Sequence, residues 1–113
     1  MRLHVHDERS LNRFNRLKNQ FSKIVIKYTM NGCIHCEEFK PVWKSSTRKL
    51  NNKKILLVNF NQNMLGHASL DKRFKRVNGF PTIKSFKKLK SGKFRVRTLG
   101  NRSQKRLEQF ITK

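Results

Sequence analysis

The only two cysteines of the chain, Cys33 and Cys36, lie three positions apart, and the pattern around them restricts the fold more than any other feature. The apolar, β-branched run 24–28 before them predicts a strand, and Asn31-Gly32 predicts a tight turn. From Cys33 to Leu50 the apolar residues follow a helical spacing. The sequence therefore predicts that Cys33 lies at a helix N-terminus, where free amide groups and the helix dipole favour a thiolate.

A close cysteine pair in an intracellular protein indicates redox chemistry or metal binding. Redox chemistry fits the spacing, because Cys36 follows Cys33 by one helical turn and can resolve a mixed disulfide formed there. The alternative is half of a zinc site, completed by His4, His6, His35 or His67. We favour redox chemistry, since there is no second cysteine pair and His35 lies between the thiols at a poor ligand spacing. It requires no metal and no organic cofactor.

The remaining patterns predict alternating strands and helices. Strands are predicted at 3–6, 55–60, 82–88 and 94–99, and further helices at 10–21, 65–77 and 103–112. Pro41 predicts a kink in the helix that follows the cysteines. The order β-α-β-α-β-α-β-β-α indicates an α/β fold, a mixed sheet with helices on both faces. With 113 residues we expect one domain, 1–113.

The chain is strongly basic, with 28 Lys and Arg against six Asp and Glu and a formal net charge of +22. Such a charge attracts polyanions, so nucleic acid or another polyanion is a candidate partner, and simple solubility is the alternative. No apolar run is long enough to span a membrane, and the N-terminal segment lacks the features of a secretory signal. We therefore expect an intracellular protein, in the cytoplasm or in a virus particle, without membrane contact.

Four local patterns follow one another along the chain. The strand 24–28 precedes Cys33-Ile34-His35-Cys36, and Phe39-Lys40-Pro41-Val42-Trp43 comes next. The segment 77–82 and then Leu99-Gly100-Asn101-Arg102 complete the set. In this order they resemble the thioredoxin superfamily, and most closely the thioredoxin-like catalytic domains of protein disulfide isomerases. The second pattern is similar to the kinked active-site helix of the family, the third to its cis-proline loop and the fourth to the entry of its last helix. The resemblance runs from about Leu3 to Ile111 and implies the thioredoxin fold. It also implies a monomer that acts on thiols and disulfides of protein substrates.

The resemblance implies roles for the residues that surround the cysteines. Pro81 would follow a cis peptide bond and pack against the disulfide, and Phe80 would offer its backbone to a bound peptide. Gly32 and Ile34 would form the rim of the substrate site. Gly32 stands where related proteins usually have Trp, so this rim is more open and its loop more flexible.

Two cationic residues carry the expectation of an oxidising pair. His35 stands where thioredoxins usually have Pro and disulfide isomerases have His. An imidazole beside Cys33 would stabilise its thiolate and make the disulfide a stronger oxidant; the alternative is a solvent-facing histidine with little effect. Arg102 matches an arginine that in disulfide isomerases approaches the second cysteine and lowers its pKa; the alternative is a solvated surface arginine.

Lys27 departs from the family pattern. Six residues before the first cysteine, related proteins commonly carry a buried acid that helps to move the proton of the second cysteine. A charged Lys27 would favour the Cys36 thiolate, whereas a buried, neutral Lys27 could itself act as a base. A third alternative is an ammonium group that extends to solvent. These alternatives remain open at this level.

The sequence thus predicts a thiol-disulfide oxidoreductase that leans towards disulfide oxidation or isomerisation. One alternative is a thioredoxin-like disulfide reductase, and another is a basic polyanion-binding module on a thioredoxin fold. The small size, basicity and Lys/Asn/Phe-rich composition are also similar to thioredoxin-like proteins of large DNA viruses.

Overall fold

Five strands and three α-helices make up the computed structural model, which describes all residues, 1–113. The strands are β1 (Arg2–Val5), β2 (Lys23–Thr29), β3 (Ile55–Asn61), β4 (Thr82–Lys88) and β5 (Phe94–Thr98). The α-helices are α1 (Glu8–Leu17), α2 (Ile34–Thr47) and α3 (Gln104–Thr112). The strand order is β1-β3-β2-β4-β5, with β1, β3 and β2 parallel and β4 and β5 antiparallel to their neighbours. This mixed sheet confirms the predicted α/β class.

The central strand β2 is buried on both faces, which explains its nearly continuous apolar sequence. One face of the sheet packs against Leu11 and Phe14 of α1, and Tyr28 belongs to this core. The other face, which includes Val25, packs against α2 through Phe39 and against the apolar side of α3. Helices therefore cover both faces, as the sequence predicts.

The predicted helix at 65–77 is wrong. One short 3₁₀ turn, Lys72–Phe74, lies within this segment, and another, Gln62–Met64, precedes it. Leu70 and Phe74 are buried as expected, but they reach the core from an irregular segment. The side chain of Asp71 accepts a hydrogen bond from the backbone N–H of Arg73 at 3.0 Å. This local bond competes with a helix at this point, because short polar side chains offer the backbone an alternative partner.

Two basic side chains bind the carboxyl ends of the helices that cover one face of the sheet. Lys23 Nζ donates to the carbonyl oxygens of Phe110 and Ile111, both at 2.8 Å, in the last turn of α3. Arg2 donates to the side chain and the carbonyl oxygen of Thr47, the last residue of α2. Cations are favourable here, because unpaired carbonyls give a helix C-terminus a partial negative charge. The Arg2 contact ties the end of α2 to β1, and the Lys23 contacts tie the end of α3 to β2.

Strand β5 forms one edge of the sheet and is mostly exposed. Arg95 and Arg97 alternate along it, opposite Lys87 and Ser85 of β4. The other edge, β1, carries Arg2 and His4. Both open edges of the sheet are therefore basic. None of the helices is at once long and apolar enough to cross a membrane.

Candidate active site

Cys33 is the N-cap residue of α2, as predicted, and lies just beyond the carboxyl end of β2. The structure contains a disulfide bond between Cys33 and Cys36, with their Cα atoms 5.2 Å apart. The backbone N–H of Cys36 donates to Cys33 Sγ at 3.1 Å. Cys33 is 8% exposed and Cys36 is 3% exposed. Cys33 is thus the more exposed residue of the pair, and its sulfur lies in the field of a helix N-terminus, which stabilises negative charge on it.

Gly32 makes the turn into the cysteine pair possible. Its φ is +75°, in the left-handed region that side chains with a Cβ rarely adopt. A Cβ at this position would have no atom within 4 Å. The requirement for glycine here is therefore conformational rather than steric.

The loop before β4 lies against the disulfide. The Phe80–Pro81 peptide bond is cis, and Pro81 is buried. Cys33 Sγ lies 3.7 Å from the carbonyl oxygen of Phe80. Arg102 donates through Nη1 to the carbonyl oxygen of Pro81 at 3.4 Å. The structure thus brings Phe80, Pro81 and Arg102 together on the Cys33 side, while an approach of Arg102 to Cys36 stays a prediction.

The rim around the disulfide carries exposed apolar side chains. Ile34 is 73% exposed and Met30 is 40% exposed. Ile34 was predicted as a rim residue, whereas Met30 was not. The sequence contains a signal for Met30: an apolar residue directly before the turn Asn31-Gly32 lies beyond the end of the strand, where it can be exposed.

His35 lies at the surface, with its side chain 68% exposed. Its Nδ1 is 3.4 Å from a carboxylate oxygen of Glu38. Glu37 forms an ion pair with Lys40 at 2.8 Å. Each of the two acids after the cysteines therefore pairs with a neighbouring basic side chain on α2. A role of His35 in stabilising the Cys33 thiolate stays a prediction.

A cavity of about 230 Å³ lies on the Cys36 side of the disulfide. Lys27 and Cys36 both line it, together with Glu37 and Lys40. Lys27 is only 4% exposed, so its ammonium group does not extend freely into solvent. Its Nζ lies 5.1 Å from the ring centroid of Trp43, in a cation–π arrangement. We call this space the Lys27 cavity.

Burial, with a smaller contribution from the nearby charge of Lys40, lowers the pKa of Lys27 to about 8, and the charge of Glu37 opposes this shift. A lysine with this pKa is mostly protonated at neutral pH in the disulfide form of the protein. It loses its proton in the range where thiols titrate. Of the three alternatives for Lys27, the structure therefore favours a buried group close to its own titration.

His4 also lines the Lys27 cavity and was not predicted there. Strand register explains its position: His4 of β1 and Lys27 of β2 both pair with Asn59 of β3, one from each side. The pKa of His4 is lowered by burial and by the charges of His6 and Lys27. For the zinc alternative, the structure contains no group of three or more His, Cys, Asp or Glu side chains arranged to hold a metal ion.

The family model for thioredoxin matches residues 5–113, nearly the whole chain. The chain belongs to the thioredoxin family. A search of curated proteins found no match. As a thioredoxin-family domain with a Cys33–Cys36 disulfide, the protein has the structural elements of a thiol-disulfide oxidoreductase.

Solved structures share the fold at low sequence identity. The J-Trx1 fragment of ERdj5 is 19% identical with a TM-score of 0.70, over 96% of this chain and 49% of the fragment. The first thioredoxin domain of mouse protein disulfide-isomerase A4 is 22% identical with a TM-score of 0.64, over 96% of this chain and 71% of that one. Thioredoxin from Plasmodium falciparum is 23% identical with a TM-score of 0.64, over 96% and 82%. This thioredoxin-family chain thus spans about half the length of the ERdj5 fragment.

Proposed function

We propose that this thioredoxin-family protein oxidises or isomerises disulfide bonds of protein substrates through Cys33 and Cys36. The observation that carries the proposal is the buried Lys27, which lines one cavity with Cys36. A cation in this cavity favours the thiolate form of Cys36 in the reduced pair. Because the thiolate belongs to the reduced form, its stabilisation makes the disulfide a stronger oxidant.

Oxidation of a substrate begins when a substrate thiolate attacks Cys33 Sγ. The Cys33–Cys36 bond breaks, a mixed disulfide forms at Cys33, and Cys36 leaves as a thiolate. A second substrate thiolate then attacks the substrate sulfur of the mixed disulfide. The substrate leaves with a new disulfide, and its two electrons remain on the reduced Cys33–Cys36 pair.

Isomerisation uses the reduced pair and leaves the number of disulfides unchanged. The Cys33 thiolate attacks a substrate disulfide and releases a substrate thiolate, which attacks another disulfide of the same substrate. The thiolate freed by that exchange then releases Cys33. Cys36 resolves complexes that stall, which returns the protein to its disulfide form and leaves the substrate reduced by two electrons.

In this proposal Lys27 acts on Cys36, the leaving group of the oxidation step. A protonated Lys27 stabilises the departing Cys36 thiolate. In the reverse direction, a neutral Lys27 takes up the proton of the Cys36 thiol before Cys36 attacks the mixed disulfide. Its pKa of about 8 in the disulfide form suits both roles, since catalytic proton transfer is most effective near the working pH. Lys27 thus replaces the usual acid with a group of opposite charge.

Substrate contact falls to the other side of the disulfide. The carbonyl oxygen of Phe80 lies 3.7 Å from Cys33 Sγ, where it is available to accept a hydrogen bond from an extended peptide. Ile34 offers exposed apolar surface directly after Cys33, and Gly32 leaves the rim open. Met30 lines the Lys27 cavity and adds exposed apolar surface on the Cys36 side. Arg102 bonds to the carbonyl oxygen of Pro81 and so holds the loop in position. This arrangement suits an unfolded or loosely folded segment around a cysteine.

The rival function is disulfide reduction, and one observation favours it. His35 is exposed and faces Glu38, so the carboxylate offsets the effect of an imidazolium charge on Cys33. Without a contribution from His35 the pair would be more reducing. The relative effects of Lys27 and of the two acids of α2 on the cysteine thiolates therefore determine whether the protein oxidises or reduces disulfides.

The deciding experiment is the equilibrium reduction potential of the Cys33–Cys36 pair in glutathione buffers at neutral pH. We expect a value of about −180 mV or higher, the range of protein disulfide isomerase. Lys27→Met should lower the potential, by about 30 mV for each tenfold loss of the preference for the reduced form. The control, Lys90→Met in the exposed turn between β4 and β5, should leave it unchanged.

A potential of about −270 mV, the thioredoxin value, would contradict the proposal and indicate a reductase. Two cysteine variants test the order of attack with a reduced, unfolded protein substrate. Cys36→Ser should accumulate a mixed disulfide at Cys33, whereas Cys33→Ser should form none. Accumulation at Cys36 in the Cys33→Ser variant would contradict the assigned roles.

A further inference from the structure

Almost none of the positive charge of the surface is neutralised within the molecule. Among the 28 Lys and Arg side chains, only Lys40 and Arg73 lie within 4.0 Å of a carboxylate. Such a surface is costly by self-repulsion, and an external anion relieves this cost. The arginines are not distributed evenly over this surface.

A groove of about 580 Å³ lies where α1 meets the edge strand β1, and we call it the α1 groove. Four arginines and two histidines line it: Arg2, Arg9, Arg13, Arg16, His4 and His6. The groove contains four of the 11 arginines of the chain and none of its 17 lysines. A surface that is basic only for solubility has no reason to separate the two residue types.

Arginine differs from lysine in the anions that it recognises. Its planar guanidinium presents a rigid fork of donors that matches the oxygens of a phosphate or carboxylate in a bidentate contact. The side chains of Arg9, Arg13 and Arg16 are exposed and form no hydrogen bond or ion pair in the structure. Their donors are therefore free for an external anion.

The three arginines form one stripe on α1, with spacing i, i+4 and i+7. Leu11 and Phe14 occupy the buried face of the same helix. From Arg9 to Arg16 the helix rises about 10 Å. This length corresponds to about three nucleotides of axial rise along one strand of duplex DNA. A row of this length suits a repeating anion better than a single phosphate group.

The one acid of the groove, Asp7, does not neutralise the stripe. Its carboxylate caps α1, where it accepts from the backbone N–H of Ser10 at 2.8 Å and from the Ser10 hydroxyl at 2.6 Å. Leu3 is the only hydrophobic residue that lines the groove. A membrane surface would require more, since stable peripheral binding combines basic residues with buried apolar side chains.

We propose that the α1 groove binds the phosphate backbone of nucleic acid, without reading its sequence. The three arginines of α1 contact successive phosphates, and the remaining surface charge steers the polymer towards the protein. His4 lines both the α1 groove and the Lys27 cavity, so the bound strand runs along the Cys36 side of the redox site. The Cys33 side remains free for a protein substrate. The proposal does not depend on the redox function.

The test is fluorescence anisotropy of a labelled oligonucleotide, single- and double-stranded, titrated with the full chain over a range of NaCl concentrations. We expect binding that weakens steeply with salt and survives in Cys33→Ser. The triple variant Arg9→Gln, Arg13→Gln, Arg16→Gln should reduce the slope of log K against log salt by about 3, about one for each lost phosphate contact. Glutamine retains helix propensity, so α1 should remain folded.

Two matched triple variants locate the effect and identify its chemistry. Replacement of the exposed Lys90, Lys93 and Lys105 by Gln removes the same charge elsewhere and should reduce the slope by less than half as much. Replacement of Arg9, Arg13 and Arg16 by Lys retains the charge but should still weaken binding, because the forked donors are lost. Far-UV circular dichroism and the reduction potential should be unchanged in all three triple variants.

Absence of oligonucleotide binding at low salt would overturn the proposal. An equal loss of salt slope in the Arg→Gln and Lys→Gln triple variants would also overturn it, since binding would then follow net charge alone. Unaltered affinity in the Arg→Lys triple variant would rule out guanidinium recognition. Binding to vesicles with anionic lipids, in the absence of oligonucleotide binding, would assign the groove to a membrane surface instead.

Discussion

At the scale of single residues, two basic side chains close to the cysteines in sequence, His35 and Lys27, occupy different environments. His35 lies between the cysteines but points to solvent beside Glu38. Lys27 lies six residues before the pair, yet it is buried and lines a cavity with Cys36. Charges interact more strongly in a buried environment, where water screens them less. We therefore expect Lys27 to have the larger effect on the cysteine pair.

Lys27→Met should stabilise the fold at neutral pH. Folding lowers the pKa of Lys27 from its ordinary value of 10.5 to about 8, so the folded protein binds this proton less tightly than the unfolded chain. Stability therefore carries a penalty below pH 8, and the penalty disappears as the pH rises towards 10.5. Methionine removes the charge and keeps most of the apolar stem. The expected gain is roughly 2 to 3 kcal/mol at neutral pH.

Urea unfolding of both proteins from pH 7 to pH 10 measures this effect. The difference in the free energy of unfolding between variant and wild type should shrink above pH 8, the pKa of Lys27. The comparison also removes contributions from other groups, such as Tyr28, whose pKa is raised by burial. A difference that does not change with pH would mean that Lys27 titrates normally.

At the scale of the elements, the entry to α3 supports the loop beside the disulfide. Ser103 is the N-cap of α3, and its hydroxyl accepts from the backbone N–H of Arg106 at 3.3 Å. The preceding residue, Arg102, holds the carbonyl oxygen of Pro81. One short segment thus starts the last helix and positions the loop before β4.

Ser103→Ala should destabilise the protein by about 1 kcal/mol, the usual cost of losing an N-cap side chain. The control Ser45→Ala lies within α2 and makes no side-chain hydrogen bond in the structure, so it should have little effect. Denaturant unfolding gives the stability. The reduction potential of the Ser103→Ala variant should remain close to wild type, because the cysteines and Lys27 are untouched. A large change in potential would indicate that the cap shapes the site directly.

Local signals predicted most elements, because their apolar periodicity agrees with their final burial. Strand β2 and the start of α2 at Cys33 are examples. The helix predicted at 65–77 is wrong. Leu70 and Phe74 repeat at a helical spacing, but the side chain of Asp71 accepts a hydrogen bond from the backbone N–H of Arg73, which favours a local turn. The Lys27 cavity could not be predicted, because it depends on the pairing of β1 and β2 with the same residue of β3.

At the scale of the whole molecule, electrostatic repulsion should limit stability. The molecule measures 31 × 30 × 22 Å and has a formal net charge of +22. At about 0.01 M ionic strength the Debye length is about 30 Å, so charges repel across the entire molecule. At about 0.15 M it is about 8 Å, and only neighbouring charges interact.

The midpoint of thermal unfolding should therefore rise as NaCl is added over this range. If screening raises the free energy of unfolding by about 1 kcal/mol, Tm should rise by about 4 °C or more for a domain of this size. Differential scanning calorimetry at several salt concentrations measures the effect. A nonionic osmolality control, in which glycerol replaces NaCl, separates screening from general solvent effects. A Tm that falls or stays constant with NaCl would show that repulsion does not limit the fold.

The basic edges of the sheet also bear on self-association. An open edge strand exposes unpaired backbone groups that can join a second sheet, and charged side chains oppose this. When two copies meet through β5, Arg95 and Arg97 of each bring four guanidinium groups together. The protection is electrostatic, so a polyanion that neutralises the surface removes it. Crowding of many copies along one polymer would then favour edge-to-edge pairing, and turbidity near charge equivalence is its expected sign.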